Sequence, residues 1–564
     1  MKALKLIALA MVLVGGVSAF ADTTWNGPDG GDLTNIANWK DGNPFFDPTT
    51  NKSAVTCFNN KPSSNYRVTT SSNVYFGRTY GAGNTTVTFD LYPYSMCCCA
   101  GDPLYMPGGT GRRFVFESGT FCNSNATLTA ASTFTMQQNA KKCEVVFTGP
   151  NTLALGGWNI RDAYDSRIIL TNGAHMSGMP SVTGYSNNTV VVTGSGTVLD
   201  CRNGSISLGN HATSAGIRDG FNAFIVTNGA SVVNLNGVTL DSNGNSDDGL
   251  VYLEGVTGND ITIGLGGKRN QLKLVDSFFS CKNSFIGKGG AYSVLDIGRG
   301  ASVSYASGGG GQYFWIGNNA SAYGSGVRIH DGGSFTNASG EAFVGYNARD
   351  CFIDVYDGGF LKGIGSIQVS GTSNGWLRVR GAGSKAEIAK LVVGADKQVN
   401  GGHALLVEDG AVYEGGTSLK MAGFHNRVVV SNATLKSALL YDFQNGGWGG
   451  TNLLVVAGRK AKVEIAGLFD WVAASTVRFD IPEEGYESVP ITASKVNMSR
   501  AEFDVSKIQK TGGVVTLVST TTSLTLSDAA LAKMQQGLPL GCKLKKTDKE
   551  LILKVSKGLM ILVR

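Results

Sequence analysis

Apolar and polar residues alternate along many short stretches of this chain, and each stretch ends in a turn of small residues. Residues 326–330, for example, are Gly-Val-Arg-Ile-His, and an Asp-Gly-Gly turn follows at 331–333. Alternation with a period of two places every second side chain on one face, which predicts a half-buried β-strand. Asp, Asn and Gly suit the turns because they adopt positive φ angles at low cost. The pattern therefore predicts a succession of short strands joined by tight turns.

Two kinds of strand alternate through the middle of the chain with a regular spacing. The first is an apolar-x-apolar strand followed by a small-residue turn, at 170–174, 226–230, 329–333, 355–359 and 407–411. The second is an apolar strand closed by glycine, at Gly287, Gly317, Gly345, Gly394 and Gly423. Successive closing glycines are 30, 28, 49 and 29 residues apart; we interpret 49 as two periods, which makes the repeat about 27 residues long.

A repeat of this length with two or three short strands fits two architectures. The blades of a propeller need about 40 to 45 residues each, whereas the coils of a parallel β-solenoid are shorter and tolerate loops of variable length. The sequence therefore predicts an all-β fold, a parallel β-solenoid (β-helix) of about twelve coils over residues 111–440. Residues 22–110 are predicted to cap its N-terminal end, and 441–564 to form a β-rich region that continues or caps the stack. One capped helix is predicted, at 527–536, with Gly537 as its end.

Composition and charge narrow the class of protein further. Glycine makes up 78 of the 564 residues but proline only 12, and 42% of the residues are hydrophobic, which is typical of neither collagen nor a disordered chain. The formal net charge of +6 falls to about +4 without Lys2 and Lys5, so the charge balance gives no reason to expect a nucleic-acid partner.

Residues 1–21 have the pattern of a secretory signal peptide. Lys2 and Lys5 precede an apolar run at 6–14, and Ala-Phe-Ala at 19–21 fits a cleavage site before Asp22. The apolar run is shorter than the ~20 residues that a membrane-spanning helix needs. We therefore expect a secreted or cell-surface protein, with no transmembrane segment once the signal is removed.

The ten cysteines all follow this signal segment, and an oxidising compartment would allow them to pair. Residues 97–99 are a cysteine triplet, whose expected partners are Cys57, Cys122 and Cys143. Metal binding is the alternative for this cluster, but no C-x-x-C pair or nearby histidine accompanies it. The isolated cysteines are expected to behave as small buried hydrophobic residues, at Cys201, Cys281, Cys351 and Cys542.

The sequence offers no residues that we assign to a catalytic, cofactor or metal site. Glycoside cleavage needs two or three carboxylates that converge on one face, whereas Asp331, Asp357 and Asp409 stand beside glycines and are expected to hold turns. Residues 241–249 carry oxygen ligands at alternate positions, as calcium sites do, but the EF-hand template fails at Ser246 and Tyr252, and a polar loop explains the same residues. The histidines are scattered without a metal-binding spacing and are expected at the surface, at His175, His211, His330, His403 and His425.

Aromatic residues provide a hint of a binding surface. Tryptophans and tyrosines lie in or beside the predicted coil strands, at Trp158, Trp315, Trp376, Trp448, Tyr292, Tyr313, Tyr346 and Tyr356. Exposed rings along the coils could stack on sugars, while inward-facing rings would belong to the core. The glycine run at 308–311 lacks a lysine and a strand-to-helix setting, so we expect a loop there and not a phosphate site.

These patterns resemble autotransporter-like passenger domains, which are exported repeat proteins of bacteria. Thr-Trp-Asn-Gly at 24–27 and Asn-Trp-Lys-Asp-Gly at 38–42 are similar to an opening motif of such proteins. Residues 514–519, 538–544 and 551–555 resemble the segment that ends a passenger domain. The resemblance implies the fold and an exported location, but it names no ligand. Self-exporting members continue into a C-terminal membrane barrel, and no such barrel is predicted within these residues.

The sequence favours a secreted, non-catalytic structural or adhesin-like surface protein that presents a repetitive face. Extracellular glycans or cell-surface components are the expected partners, and no cofactor is expected. Two alternatives stay open: an enzyme acting on a polysaccharide (a lyase or glycoside hydrolase), and a non-catalytic carbohydrate-binding protein. Ionisable residues from three adjacent coils meeting in one groove would favour the enzyme. A row of exposed Trp and Tyr side chains would favour carbohydrate binding.

Overall fold

The computed structural model describes residues 23–40, 44–45, 55–58, 65–76, 78–81, 85–98, 104–105, 110–123, 133–136, 140–161, 163–178, 180–182, 185–209, 219–240, 246–306, 313–394, 401–443, 451–471 and 475–556. The predicted signal peptide (1–21), Cys99, His211, the glycine run at 308–311 and Trp448 lie outside the described residues. The chain divides into two compact units, residues 1–200 and 201–564.

The fold is a parallel β-solenoid of about 14 turns, with 61% of the residues in strands and 3% in helices. The predicted fold class is confirmed, and the predicted twelve coils come close to the observed number. The described helices are two 3-10 turns and one α-helix, at Ile36–Asn38, Ala320–Ala322 and Asp528–Gln536.

The strands of the first unit are short, apart from two that bend around a corner. They are Thr23–Trp25, Gly31–Asp32, Trp39–Lys40, Val55–Phe58, Asn65–Thr69, Val74–Phe76, Arg78–Gly81, Thr86–Cys98, Leu104–Tyr105, Arg113–Asn123, Thr133–Met136, Ala140–Lys141, Glu144–Thr148, Thr152–Leu155, Gly157–Ile160, Ala163–Tyr164, Arg167–Thr171, His175–Ser177, Pro180–Val182 and Thr189–Thr193. One further strand, Val198–Leu208, contains the boundary between the units.

The second unit is built from three parallel sheets, which we number in the order in which the chain passes through them. The first sheet contains Ala223–Thr227, Leu250–Glu254, Gln271–Val275, Val294–Ile297, Gly326–Ile329, Phe352–Val355, Trp376–Arg380, Ala404–Glu408, Arg427–Ser431, Leu453–Ala457, Thr476–Asp480 and Glu502–Asp504. Strands of the second sheet alone are Phe278–Cys281, Ser302–Tyr305, Ser334–Asn337 and Thr434–Ser437. Strands of the third sheet alone are Ser284–Ile286, Phe314–Ile316, Glu341–Val344 and Leu440–Phe443.

Long strands bend at the corner between the second and third sheets and contribute to both. They are Ser231–Leu240, Thr257–Leu265, Phe360–Val369, Lys385–Val393, Val412–Ala422, Lys462–Asp470, Ile491–Asn497 and Gly513–Thr525. Two-residue strands at Asp219–Gly220 and Ser246–Asp247 pair with each other, and a C-terminal hairpin consists of Cys542–Lys546 and Glu550–Val555.

The period varies more than the closing glycines suggest. The starts of successive first-sheet strands are separated by as few as 21 residues (Leu250 to Gln271) and as many as 32 residues (Val294 to Gly326). The 49-residue interval between Gly345 and Gly394 is indeed two turns, because the third-sheet segment 366–369 pairs with 341–344 on one side and with 390–393 on the other. Loops at the corners absorb the variation, so that the strands keep their register.

The turn residues adopt the conformation that the sequence predicts. Asp331, Asp357 and Asp409 have φ angles of 51°, 48° and 56°, and the glycine after each of them also has a positive φ. Asn and Asp accept this left-handed region because their short polar side chains bond locally. The turn role expected for these three aspartates is confirmed.

Polar side chains line one interior corner of the second unit, each placed just before a strand of the first sheet. The N–H of Gly375 donates to Nδ1 of His403 at 3.1 Å, and the N–H of His403 donates to Oδ1 of Asn426 at 3.1 Å. The N–H of Asn426 donates to Oδ1 of Asn452 at 2.9 Å, and that of Asn452 to Oγ of Ser475 at 3.1 Å. Each coil thus satisfies a buried N–H of the coil before it, as buried backbone groups require. We call these five residues the corner ladder.

The tryptophans of the opening motif form the core of the first unit near its N-terminus. The Trp25 and Trp39 rings meet edge to face with centroids 5.0 Å apart, and Phe58 lies 5.6 Å from Trp39. Trp39 Nε1 donates to the carbonyl of Leu33 at 2.9 Å. A Cβ at Gly27 would lie 2.6 Å from the Trp25 ring, so the motif needs glycine there. These residues pack together in the core.

The cysteines behave largely as expected. Cys97 of the triplet forms a disulfide with Cys122, one of the three expected partners. Cys281 and Cys351 are buried, and burial raises the pKa of each thiol to about 12, which keeps both protonated and unreactive. Cys542 differs, because it is only half-buried.

The C-terminal end of the second unit is closed by the predicted helix and by a hairpin. Ser527 Oγ accepts the N–H of Ala530 at 3.1 Å, and Gly537 follows the helix, as predicted. Lys533 bonds Glu502 on the last first-sheet strand at 2.6 Å. Strand Glu550–Val555 pairs antiparallel with Gly513–Thr525 and so covers an edge that would otherwise expose backbone groups to other chains.

Candidate functional site

Charged side chains stand in register on the outer surface of the first sheet. Asp296 pairs with Arg328 on the next coil, Arg328 with Asp354, and Asp354 with Arg378. Neighbouring strands lie about 4.8 Å apart, so these side chains form one column of alternating charge. The inward neighbours of these residues are buried and apolar, as with Leu295 beside Asp296. The alternation of the strands therefore places the charged groups outward.

A second outward column runs beside the first, two residues further along the chain, at the ends of these strands or just beyond them. It contains His330, Tyr356, Arg380 and Glu408. Together with the first column and Trp376, these residues form what we call the charged face: Asp296, Arg328, His330, Asp354, Tyr356, Trp376, Arg378, Arg380 and Glu408.

Asp354 occupies the centre of the charged face. Its Oδ1 accepts the indole N–H of Trp376 at 2.9 Å. Burial raises the pKa of Asp354, although the Trp376 hydrogen bond and the charges of Arg378, Arg380 and Arg328 all favour the carboxylate. The direction of the shift shows that loss of hydration outweighs the three guanidinium groups.

His330 lies between two carboxylates. Its Nε2 is 2.5 Å from Oδ1 of Asp296, and its Nδ1 is 2.8 Å from Oδ2 of Asp331. Burial favours the neutral imidazole, but the two carboxylates prevail, and the pKa of His330 lies above its ordinary value. Its ring also stacks on Tyr356, with centroids 5.0 Å apart and planes 14° from parallel.

Arginine side chains rest on aromatic rings across the same surface. The Arg380 guanidinium lies 5.0 Å from the centroid of the Tyr356 ring, and that of Arg328 lies 5.7 Å from Phe352. Phe352 in turn stacks on Trp376 at 5.3 Å and 12°. Such contacts use the flat faces of the guanidinium groups and not the N–H donors at their edges.

A groove with a volume of about 410 Å³ opens beside Asp354, within the range of about 300 to 1,000 Å³ that is usual for ligand sites. Its ionisable lining comes from several coils: Asp354, Arg378, His425 and Arg427. Arg378 also bonds Glu408 at 2.7 Å. Among the lining residues one carboxylate, Asp354, accompanies two guanidinium groups; because Arg378 also pairs with Glu408, Arg427 supplies the excess positive charge that suits an anionic ligand.

The residues considered from the sequence are distributed unevenly over the structure. Asp331 contacts His330, whereas Asp357 and Asp409 serve only as turn residues in the contacts that the structure describes. His175 and His425 are exposed as expected, but the expectation of a surface position was wrong for His403, which is 1% exposed within the corner ladder. The chain places His403 directly before a strand, at the position that Asn426, Asn452 and Ser475 hold in the following coils.

In the loop 241–249, which the sequence suggested as a possible calcium site, the described aspartates bond to groups of the protein. The carboxylate of Asp248 is held by Arg269 at 2.5 and 2.7 Å, and Oδ1 of Asp247 accepts the N–H of Lys268 at 3.3 Å. Residues 241–245 of that loop lie outside the described part of the chain. Within the described ranges, no three His, Cys, Asp or Glu side chains are grouped so as to hold a metal ion.

The sequence analysis did not predict the charged face, because it used the turns to find the repeat and did not compare the outward residues that precede each turn. In residues 294–297, 326–329, 352–355 and 376–379, the outward residue stands directly before the last inward one, and a glycine-containing turn follows each of these segments. Aligning the coils on those turns brings Asp296, Arg328, Asp354 and Arg378 into one column. The signal was therefore present, but it required alignment of coils that differ in length.

Comparison with protein-family models, curated proteins and solved structures finds no match to this chain. No helix among the described residues is both long enough and apolar enough to cross a membrane. The fold and the charged face together define a parallel β-solenoid protein with an arginine- and aromatic-rich outer sheet.

Proposed function

We propose that this protein is an exported, non-catalytic adhesin-like surface protein, comparable to an autotransporter passenger, that binds acidic extracellular polysaccharides through the charged face. The observation that carries the proposal is the groove that is lined by Arg378, by Arg427 and by a tryptophan-bonded carboxylate, Asp354. Export is supported by the signal-like residues 1–21.

The chemistry of the groove supports this ligand class. Planar guanidinium groups bind carboxylates and sulfates through paired hydrogen bonds, and indole or phenol rings stack on the apolar faces of sugars. Trp376 and Arg378 are two residues apart on one strand, so both point outward at the same coil. A polysaccharide that follows the sheet would meet Trp376 and Arg378 on one coil and Arg427 two coils further on.

The test is binding of a soluble uronic-acid polymer such as polygalacturonate or alginate, measured by calorimetry. Arg378→Gln and Arg427→Gln should each weaken binding about tenfold, or ~1.4 kcal/mol, as expected for loss of one charge-assisted contact. Arg459→Gln is the matched control, because Arg459 is an exposed arginine that pairs with Glu487 at 3.2 Å and does not line the groove. Equal affinity of all four proteins would refute the proposal.

A polysaccharide lyase is a second candidate, and one observation favours it. The groove gathers ionisable residues from neighbouring coils, which is the arrangement that would favour an enzyme. Its single lining carboxylate argues against a hydrolase, which needs two, whereas arginines could neutralise a uronate in an elimination. Prolonged incubation with polygalacturonate decides the question, since a lyase produces unsaturated ends that absorb ultraviolet light. Growth of that absorbance, abolished by Arg378→Gln and not by Arg459→Gln, would replace the binding proposal by the enzyme.

A further inference from the structure

A second cluster of aromatic side chains lies on the outer surface of the third sheet, away from the charged face. Trp315 and Phe343 occupy registered positions on successive coils, and their rings stack at 4.9 Å and 17°. Tyr313 and Tyr346 contact both rings. We call these four residues the aromatic platform.

The two tyrosines lie across the edges of the stacked pair. Tyr346 is 4.5 Å from Trp315 and 5.3 Å from Phe343, at angles of 72° and 73°. Tyr313 is 5.0 and 5.4 Å from the same rings, at 68° and 72°. A ring that is nearly equidistant from two stacked rings and perpendicular to both must face their edges. One face of each tyrosine is therefore used in this contact.

The other face of Tyr346 is available to a ligand. The tyrosine is 42% exposed, whereas Phe343 below it is only 8% exposed. Covering an exposed aromatic ring with another apolar surface is favourable, because it removes the ring from water. The edge contacts also hold Tyr346 in place, so a ligand would lose little affinity to ordering its side chain.

The rim of the platform is rich in amide side chains, and the charged groups near it are Lys288, whose Nζ lies 4.9 Å from the ring of Phe285, and Glu341 on the Phe343 strand. Asn318, Asn319 and Asn347 lie on the corner turns that follow the platform strands, and the side-chain amide of Asn347 donates to the carbonyl of Asn318 at 3.1 Å. Gln368 continues the outward column beyond Phe343. A flat ring with amide groups around it, and without a paired guanidinium, suits an uncharged ring that carries hydroxyl groups.

We propose that the aromatic platform is a binding site for neutral sugar residues, which stack on Tyr346 and bond to the amides at its rim. The site is separate from the acidic-polysaccharide groove and has a different ligand class, although both rest on the proposal that the protein binds glycans. An aromatic face favours the apolar side of a pyranose ring, as Tyr does in other wet interfaces.

The experiment is affinity electrophoresis of the whole chain in gels that contain a neutral polysaccharide, with xyloglucan, β-glucan and galactomannan as separate probes. Retardation by at least one probe is expected, and Tyr346→Ala should weaken it at least fivefold. Phe278→Ala is the matched control, because Phe278 is an aromatic residue on a strand of the second sheet that is even more exposed than Tyr346. This control should leave the retardation unchanged.

Two results would overturn the proposal: no retardation by any neutral probe, or equal retardation of Tyr346→Ala and the control. Tyr346→Phe keeps the ring and should retain most of the binding, which separates stacking from loss of the hydroxyl. Arg378→Gln tested on the same gels distinguishes the two proposals. It should leave neutral-sugar binding intact, so that failure of the acidic-polysaccharide proposal does not decide this one.

Discussion

The backbone N–H of Gly375 donates to Nδ1 of His403, and no other described member of the corner ladder is titratable near neutral pH. The acceptor role requires Nδ1 to be unprotonated, so the imidazole must be neutral. Burial lowers the pKa of His403 to about 4, which is consistent with that requirement. Protonation of His403 would therefore break the ladder and leave a charge inside the solenoid.

We expect the stability of the protein to fall with acidification because of His403. The pKa is about 4 in the folded state and ~6.5 in the unfolded state, so the unfolded chain binds the extra proton between these values. The contribution, about 3 kcal/mol, is fully present above pH ~6.5 and is lost as the pH falls toward 4. Urea unfolding at several pH values measures it.

His403→Asn is the control for this effect, because Asn426 and Asn452 already fill the same position in the following coils. The variant should keep the hydrogen bond to Gly375. Between pH 4 and 6.5 its free energy of unfolding should vary less with pH than that of the wild type. An identical pH profile for both proteins would contradict the assignment.

His330 should show the opposite sign. Its pKa is raised by Asp296 and Asp331, so its contribution is fully present below the unfolded value of ~6.5 and is lost as the pH rises through the folded value. NMR titration of the imidazole should give a pKa above the ordinary value in the wild type and a lower one in Asp296→Asn. A wild-type value at or below the ordinary one would refute the ion pair.

Asn426 tests the ladder without a charge. Asn426→Ala removes the acceptor for the N–H of His403 and the donor to the carbonyl of Ala422, which lies 2.7 Å away. Leaving buried backbone groups unsatisfied should cost about 1 to 3 kcal/mol of unfolding free energy. Asn426→Ser should cost less, because serine performs the acceptor role at Ser475. Denaturant unfolding measures both, and equal losses would contradict the ladder as the cause.

Asp357 tests the role of the turn aspartates. Asp357 is exposed with a φ of 48°, and a β-branched residue in this region costs about 1 to 2 kcal/mol. Asp357→Val should therefore destabilise the fold by that amount, whereas Asp357→Asn should be close to neutral. Binding of polygalacturonate should be unchanged in Asp357→Asn. A large loss of binding would show that the carboxylate has a role beyond the turn.

Much of the architecture is local in origin, and the sequence by itself determined it. Alternation with period two, left-handed turn residues such as Asp331 and Asp357, and capped residues 527–536 all act within a few residues of one another. A parallel β-solenoid repeats such local units, so the class of fold follows from the pattern in one coil and its recurrence. The interpretation of the 49-residue interval as two turns follows from the same regularity.

Only the tertiary structure decided which side chains meet between coils. The coils differ in length by as much as eleven residues, between 21 and 32, so the register of Asp296, Arg328 and Asp354 depends on how the corner loops absorb the difference. The corner ladder and the aromatic platform depend on register in the same way. Hydrogen bonds between neighbouring strands set that register, and they join residues more than twenty positions apart that no local pattern brings together.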